Sequence, residues 1–167
     1  MIHPQQIVVM GVSGCGKSSV GRALATRLGW RYIEGDDFHP KANIDKMSAG
    51  IPLTDEDRWP WLDVLHTRLK DAAERGESVV LSCSALRQVY RNRLTRGLSH
   101  ARFVYLKGER EALLRNMNKR IGHFMKAGML DSQLITLEEP ADAIILPCEG
   151  LIDAIAAEAA ERINRHA

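Results

Sequence analysis

Short apolar runs alternate with amphipathic segments along this chain of 167 residues. Five of the runs are apolar or β-branched with little polar alternation, which is typical of strands buried on both faces of a parallel sheet. These predicted strands are Gln6–Met10, Arg31–Glu34, Ser78–Ser82, Arg102–Leu106 and Ala143–Leu146. The alternation of strands and helices predicts an α/β fold, in which a parallel sheet of about five strands carries helices on both faces.

Segments with the helical spacing of apolar residues lie between these strands. In the longest one, Thr54 is the expected N-cap, and Leu62, Leu65 and Leu69 form one apolar stripe that ends near Gly76. The other predicted helices are Ser19–Leu28, Ala85–Leu94, Glu109–Lys119 and Leu151–Ile163. A chain of this length suits one hydrophobic core, so we expect residues 1–167 to form a single domain.

Two polar segments interrupt this rhythm. Residues 38–57 are polar and contain proline and glycine, and residues 120–139 are rich in glycine, methionine and basic side chains. Neither pattern indicates a strand. Open α/β sheets bind ligands beyond the carboxyl ends of their strands. We therefore expect a substrate-binding flap at about residues 38–75 and a lid at about residues 120–133.

The segment after the first strand reads Gly-Val-Ser-Gly-Cys-Gly-Lys-Ser, at Gly11–Ser18. A G-x-x-x-x-G-K-S/T pattern between a strand and a helix is a phosphate-binding loop, because its glycines let backbone N–H groups turn toward phosphate. The following helix adds the positive end of its dipole. We expect Lys17 to face solvent until phosphate arrives and then to reach the β- and γ-phosphates of ATP, while the Ser18 hydroxyl binds Mg²⁺. The nucleotide-binding residues expected from the motif are Gly11, Val12, Ser13, Gly14, Cys15, Gly16, Lys17, Ser18 and Ser19.

Carboxylates follow the second predicted strand, at Glu34, Asp36 and Asp37. Beside a phosphate loop, one carboxylate can support Mg²⁺, usually through water, and another can accept the proton of an attacking hydroxyl. A solvated acidic turn is the alternative, and it suits Asp37 best. We expect Glu34 to support the metal and Asp36 to act on the acceptor.

Two further positions leave alternatives open. Arg58 lies among acidic residues and tryptophans, so it either pairs with Asp55 or Asp57 or points into the cleft toward an anionic group of the acceptor. Ser84 follows the third strand, where its hydroxyl either contacts a polar acceptor or caps the next helix. Both residues are candidates for binding the acceptor.

Basic side chains are concentrated in residues 115–126, in a chain whose net charge is only +2. A basic lid suits phosphoryl transfer, because developing charge must be neutralised where water is excluded. A solvated helix face is the alternative, and we favour it for Lys119. Arg120, with Gly122 as a hinge and His123 beside it, is the candidate for a charge that closes over the phosphoryl group.

Composition and charge argue against several classes of partner and cellular location. A net charge of +2 does not provide the basic surplus typical of nucleic-acid binding. No apolar run approaches the roughly 20 residues that cross a membrane, and the first residues lack the pattern of a signal peptide. Cys15, Cys83 and Cys148 have neither metal-ligand nor disulfide spacing, so we expect a reducing cytoplasm. Cys15 fills a loop position, because the loop offers no base to activate a thiol.

From about Ile7 to about Pro140 the chain resembles the gluconate kinases, whose motifs it carries in the same order. After the phosphate loop, these segments are Glu34-Gly35-Asp36, His39-Pro40, Asn43-Ile44, Lys46-Met47, Gly50, Pro52-Leu53, Asp55, Asp57-Arg58, Pro60-Trp61-Leu62, Cys83-Ser84-Ala85-Leu86, Tyr90-Arg91, Gly122-His123-Phe124, Ser132-Gln133 and Leu137-Glu138. Many ATPases share the phosphate loop, whereas the combination of the other segments is much more specific. One departure is Glu34, where the family usually has aspartate.

The resemblance implies ATP-dependent phosphorylation of D-gluconate to 6-phospho-D-gluconate, with Mg²⁺. It implies a P-loop NTPase fold like that of nucleoside monophosphate kinases, and a cytoplasmic homodimer that acts on a small molecule and not on nucleic acid or a membrane. The implied catalytic residues are Lys17, Asp36 and Arg120, and the implied metal ligands are Ser18 and Glu34. The implied acceptor-binding residues are Asp36, His39, Arg58, Ser84, Arg87, His123 and Gln133.

Three other classes share the phosphate loop. A shikimate kinase also binds a carboxylate through arginine, but that family has three glycines after its third strand, where this chain has Ser82-Cys83-Ser84-Ala85. A nucleoside monophosphate kinase differs in its acceptor. A regulatory or nucleic-acid NTPase would hydrolyse ATP without a sugar acid, and the near-neutral charge argues against binding nucleic acid.

Overall fold

The structure is a computed structural model that describes residues 3–119 and 128–165. One parallel sheet contains the five strands found in these residues, which are Gln6–Met10 (β1), Arg31–Glu34 (β2), Val79–Ser82 (β3), Ala101–Lys107 (β4) and Ile144–Pro147 (β5). Their spatial order is β2-β3-β1-β4-β5. β1 is central and entirely buried, which explains why apolar residues follow one another in it. The five predicted strands are confirmed to within one residue at each end.

Helices connect the strands, and they are Lys17–Leu28 (α1), Lys41–Ser48 (α2), Asp55–Glu74 (α3), Gln88–Leu94 (α4), Arg110–Asn118 (α5), Met129–Thr136 (α6) and Ile152–Arg165 (α7). α1 packs against α7, and α3 packs against α4. Crossovers between parallel strands are right-handed, and the β1-to-β2 crossover runs opposite to the later ones. The two helix pairs therefore cover opposite faces, as predicted. None of the described helices combines the length and apolar character needed to span a membrane.

The helix predicted to start at Ala85 begins three residues later, as α4. Ala85 has a φ of 46°, in the left-handed region that non-glycine residues rarely adopt. The buried Arg91 guanidinium donates to the carbonyls of Ala85 and Leu86 at 2.7 and 3.1 Å, which holds this turn. The N-cap of α4 is Arg87, so the alternative in which Ser84 caps the helix is wrong.

The first polar segment folds without joining the sheet, as predicted. A 3₁₀ turn at Gly35–Phe38 leads into it, and it continues through α2 into α3. Thr54 caps α3 as expected, because its hydroxyl accepts from the Asp57 N–H at 3.1 Å while the Asp57 carboxylate accepts from the Thr54 N–H at 2.9 Å. This reciprocal cap fixes where the long helix begins, one turn before the site residue Arg58.

Residues 120–127 of the second polar segment lie outside the described residues, and with them the predicted site residues Arg120 and His123. After this gap the chain forms α6, in which Met129 and Gln133 are buried. The last part of the predicted lid is thus a packed helix.

Candidate active site

The phosphate loop lies where the strand order reverses direction around β1. The chain leaves β1 for β2 on one side of the sheet, while β4 and β5 lie on the other side. Ligands of open α/β sheets bind at such a switch point. A cavity of about 340 Å³, here called the nucleotide cavity, opens beside the loop. The predicted loop residues in its wall are Gly14, Gly16, Lys17, Ser18 and Ser19.

The rest of the loop forms a buried framework. The predicted residues outside the cavity wall are Gly11, Val12, Ser13 and Cys15. The Gly11 N–H donates to the Ser84 carbonyl at 3.3 Å, and the Ser13 N–H donates to Gln133 Oε1 at 2.7 Å. Gly16 caps α1 with a φ of 83°, a conformation that strains any residue with a Cβ. These contacts hold the loop N–H groups beside the cavity.

The opposite wall of the nucleotide cavity comes from α5 and from the turn after β5, which the motif did not reveal. Its residues are Ala112, Asn116, Lys119, Cys148, Glu149, Gly150 and Ile152. Asn116 Nδ2 donates to the Gly14 carbonyl at 2.9 Å and so joins α5 to the loop. Lys119, the C-cap of α5, is exposed, as expected of a solvated position, and it also lines this cavity.

Ser18 and Glu34 lie together, at the start of α1 and the end of β2. The Ser18 hydroxyl donates to Glu34 Oε1 at 2.9 Å, and the Glu34 side chain is only 13% exposed. Hydroxyl and carboxylate oxygens are ligands that Mg²⁺ prefers, so this pair fits a magnesium ion. Within residues 3–119 and 128–165 no three histidine, cysteine or acidic side chains cluster to hold a metal. The remaining ligands would therefore be phosphate oxygens and water.

A second and narrower cavity, here called the acceptor cleft, also begins at Lys17. Its volume is about 20 Å³, room for about one water molecule. The predicted acceptor residues in its wall are Asp36, His39, Arg58, Ser84 and Gln133. Lys17 lines both cavities. Its residue exposure is only 9%, so the expectation that it faces solvent is wrong.

The 3₁₀ turn after β2 brings Asp36 to the acceptor cleft. Trp61 Nε1 donates to the Gly35 carbonyl at 2.8 Å, and the Trp61 ring stacks on His39 with centroids 4.0 Å apart. On its other side the turn touches β3, since a Cβ on Gly35 would come within 2.2 Å of a β3 carbonyl oxygen. The turn is therefore fixed between α3 and β3. Asp37 is exposed, as expected of a bystander.

His39 is a buried and uncharged part of the cleft wall. Its Nδ1 lies 3.3 Å from Asn43 Nδ2, and its Nε2 lies 3.8 Å from Asp36 Oδ1. Burial lowers the pKa of His39 to about 4; the Asp36 carboxylate opposes this, and the positive charges of Arg58 and Lys17 add to it. At neutral pH the imidazole is therefore neutral.

Arg58 combines the two alternatives that the sequence left open. Its side chain is 11% exposed and lines the cleft, with the guanidinium 4.9 Å from the centre of the Tyr90 ring. Nη1 donates to the Tyr90 hydroxyl at 2.7 Å and lies 4.0 Å from Asp55 Oδ1. Asp57 is engaged elsewhere, because it caps α3 and accepts from Lys46 Nζ at 2.7 Å. Arg58 is thus held in position while it faces the cleft.

Arg87 does not line the acceptor cleft. It donates to Asp55 Oδ2 at 2.9 Å and lies, with Arg58 and Tyr90, along a neighbouring open groove. The Tyr90 hydroxyl donates to Asp55 Oδ1. Arg87 and Tyr90 therefore hold Asp55 beside Arg58. Sequence reasoning had not selected Tyr90, although it belongs to one of the segments shared with the gluconate kinases.

The predicted flap and α6 both contribute side chains to the wall of the acceptor cleft. Met129 of α6 packs with Met47 and Leu53 in a small hydrophobic cluster that is separate from the main core. Gln133 reaches the phosphate loop from the same helix. Because the cleft is so small, a larger molecule can enter only if these elements move apart.

Comparison with known proteins points to one family. Residues 7–140 match a family described as AAA domain. A gluconokinase of Gluconobacter oxydans is 48% identical over 141 residues, which cover 84% of this chain and 79% of that protein. The crystal structure of a gluconokinase from Sinorhizobium meliloti superposes with a TM-score of 0.88 at 46% identity, covering 100% of this chain and 95% of that one. A shikimate kinase from Aquifex aeolicus has a TM-score of 0.61 at 16% identity, covers 97% of this chain and 98% of that one, and shares the fold alone.

We expect the buried His39 to make the free energy of unfolding depend on pH. The unfolded chain binds a proton on this residue below about pH 6.5, whereas the folded chain does so only near pH 4. The contribution of the neutral His39 to the free energy of unfolding is therefore fully present above pH 6.5. It decreases as the pH falls, by roughly 2 kcal/mol at pH 5. Urea unfolding of wild type and His39→Gln between pH 7.5 and 5 measures this difference.

The exposed His100 gives the control, since His100→Gln removes a histidine without touching the cleft. Its unfolding free energy should follow that of wild type at every pH. If His39→Gln also runs parallel to wild type, His39 is not the residue that titrates.

Proposed function

The chain belongs to the gluconokinase family and catalyses ATP-dependent phosphorylation of gluconate, and we propose that the transfer takes place beside Lys17. The observation that supports this location is that Lys17 lines both the nucleotide cavity and the acceptor cleft. ATP then occupies the larger cavity and D-gluconate the cleft, so that the two substrates meet at one ammonium group.

The phosphate end of the site belongs to the loop and α1. Backbone N–H groups at the start of α1 bind the phosphates, and the Lys17 ammonium stabilises charge on the transferred group. Ser18 and Glu34 would hold Mg²⁺, which when bound neutralises charge on the phosphate oxygens. Both side chains are oriented for this before the nucleotide arrives, because they are hydrogen-bonded to each other.

Asp36 is proposed to orient the primary hydroxyl of D-gluconate and to take its proton. As the new O–P bond forms, the bond between the γ-phosphorus and the ADP oxygen breaks, and the hydroxyl proton passes to the Asp36 carboxylate. The products are 6-phospho-D-gluconate and ADP. Because the transition state is loose, the fixed position of Asp36 contributes more than its strength as a base. Trp61 and β3 supply that fixed position.

Arg58 is proposed to bind the carboxylate of D-gluconate. A guanidinium presents a planar fork of N–H donors that matches a carboxylate. Tyr90 and Asp55 orient this fork in the cleft wall, so less side-chain freedom is lost on binding. The neighbouring His39 is uncharged at neutral pH, so it does not compete with Arg58 as a positive charge for the carboxylate of D-gluconate.

Entry of D-gluconate is proposed to separate the flap from α6. The contact to be broken is the small cluster of Met47, Leu53 and Met129. Closure afterwards excludes water, so that the phosphoryl group goes to the sugar acid and not to solvent. Arg120 stays a prediction as the lid charge that arrives on closure.

The cellular location and the oligomeric state of the protein are also proposals. The family relation makes a small molecule the partner in catalysis. We propose a cytoplasmic homodimer, by the resemblance to gluconate kinases, and light scattering of the purified chain measures the oligomeric state.

Asp36→Asn should lower kcat by about 10²–10⁴-fold, because the amide keeps the shape of the side chain but cannot take the hydroxyl proton. The binding of ATP, measured by calorimetry without gluconate, should be unchanged. Asp37→Asn is the matched control, since this neighbouring carboxylate is exposed, and it should keep wild-type kcat. A loss of ATP affinity with normal turnover would instead place Asp36 at the metal.

Arg58→Lys should raise the KM for D-gluconate by about tenfold or more, since a hydrogen bond to a charged group contributes about 1.5–3 kcal/mol and 1.4 kcal/mol is a factor of ten. A lysine cannot supply the planar fork, whereas the KM for ATP should stay the same. Arg75→Lys, at the exposed end of α3, is the control. Equal changes in both KM values would show that Arg58 acts only through the fold.

A further inference from the structure

The Glu34 carboxylate is held by a second hydroxyl besides that of Ser18. Tyr32, two residues earlier on β2, donates its hydroxyl proton to Glu34 Oε2, while Ser18 donates to Oε1 at 2.9 Å. Residues two apart on a strand point to the same face, so Tyr32 and Glu34 both face α1. Each carboxylate oxygen therefore has its own hydroxyl donor.

The Tyr32 hydroxyl is itself anchored. Its oxygen lies 2.9 Å from Ser82 Oγ, and the single proton of the Ser82 hydroxyl has two acceptors within reach, the Tyr32 oxygen and the Lys17 carbonyl, which is also 2.9 Å away. Ser82 is 1% exposed and pairs with Glu34 in the register of β3 and β2. A continuous chain of polar contacts thus runs from the first turn of α1, through Ser82 and Tyr32, to the carboxylate.

Gly21 makes the space for this arrangement. A Cβ at this position would lie 2.4 Å from Ser82 Oγ and 2.8 Å from the Tyr32 ring. The glycine therefore lets α1 approach the strands closely enough for Tyr32 to pass beneath it. The Arg22 guanidinium covers the outer side of the ring, 5.3 Å from its centre.

We propose that Tyr32 is a positioning residue for the magnesium-binding pair Ser18 and Glu34. Glutamate has one more rotatable bond than aspartate, so its carboxylate needs an additional constraint to stay in one position. Tyr32 supplies that constraint from the side away from Ser18. When the Ser18 oxygen turns toward the cation, the hydrogen bond from Tyr32 keeps the carboxylate in place. This inference rests on the proposed role of Ser18 and Glu34 in holding Mg²⁺.

Binding of Mn²⁺, as a probe for Mg²⁺, to the ADP complex of the full chain tests the proposal. Electron paramagnetic resonance measures the binding of Mn²⁺. Tyr32→Phe should weaken this binding by about tenfold, a typical effect of losing a hydrogen bond behind a metal ligand. ADP affinity measured in EDTA should not change, because the hydroxyl does not touch the nucleotide cavity. Tyr105→Phe is the control: it removes another partly buried hydroxyl, one bonded to Glu139, and should bind Mn²⁺ like wild type.

A double-substitution cycle separates positioning from a general effect on the fold. Glu34→Asp withdraws the carboxylate by about 1.5 Å, one bond length, beyond the reach of the Tyr32 hydroxyl. Tyr32→Phe should therefore weaken Mn²⁺ binding in wild type and have no further effect in Glu34→Asp. An equal effect in both backgrounds, or none in wild type, overturns the proposal.

Three more variants keep every outcome informative. Ser82→Ala removes the other anchor of the hydroxyl and should weaken Mn²⁺ binding in the same direction if Tyr32→Phe fails to fold; unchanged binding there would overturn the proposal. Ser18→Ala and Glu34→Gln test the metal site itself. If these two leave Mn²⁺ binding intact, the proposed metal site is wrong and the inference falls with it. If they weaken binding and Tyr32→Phe does not, only the role of Tyr32 is wrong.

Discussion

Three neighbouring parallel strands end at the same level, and the site depends on that alignment. In the register of the sheet, Ser82 of β3 lies opposite both Val9 of β1 and Glu34 of β2. The phosphate loop, the acidic turn and the segment after β3 therefore leave the sheet side by side. Because register in a parallel sheet is fixed by backbone hydrogen bonds over the whole strand, the distances between these segments are set by buried structure. Lys17, Asp36 and Ser84 meet at the acceptor cleft as a result.

The contacts that hold the flap and α6 together over the acceptor cleft are much weaker than those that hold the strands below it. Among the residues that the structure describes, three buried side chains form the cluster between the flap and α6, and exposing one such side chain costs about 1.5–3 kcal/mol. Binding a small molecule at millimolar affinity is worth about 4 kcal/mol. Substrate binding can therefore offset the exposure of one of these side chains, whereas exposing all three together would cost more than about 4 kcal/mol. The opening is thus limited, and the strands below stay fixed.

The strands and the phosphate loop could be predicted from the sequence, since both are local patterns. The apolar run of β1 and the glycines of the loop each carry their signal within a few residues. Contacts between distant residues left no such pattern. Asn116 binds the loop across 102 positions of sequence, and Tyr90 holds Arg58 across 32. The left-handed turn at Ala85 was missed for a different reason: the arginine of α4 that stabilises it lies six positions later, and no turn-type residue such as glycine marks the position.

The inhibition pattern of a bisubstrate analogue tests most directly whether the two cavities meet at Lys17. In such a compound the O6 oxygen of D-gluconate is joined to adenosine through a tri- or tetraphosphate. If the nucleotide cavity and the acceptor cleft are continuous past Lys17, the analogue should compete with both ATP and D-gluconate and should bind more tightly than either. Competition with ATP alone, with D-gluconate still able to bind, would contradict the account.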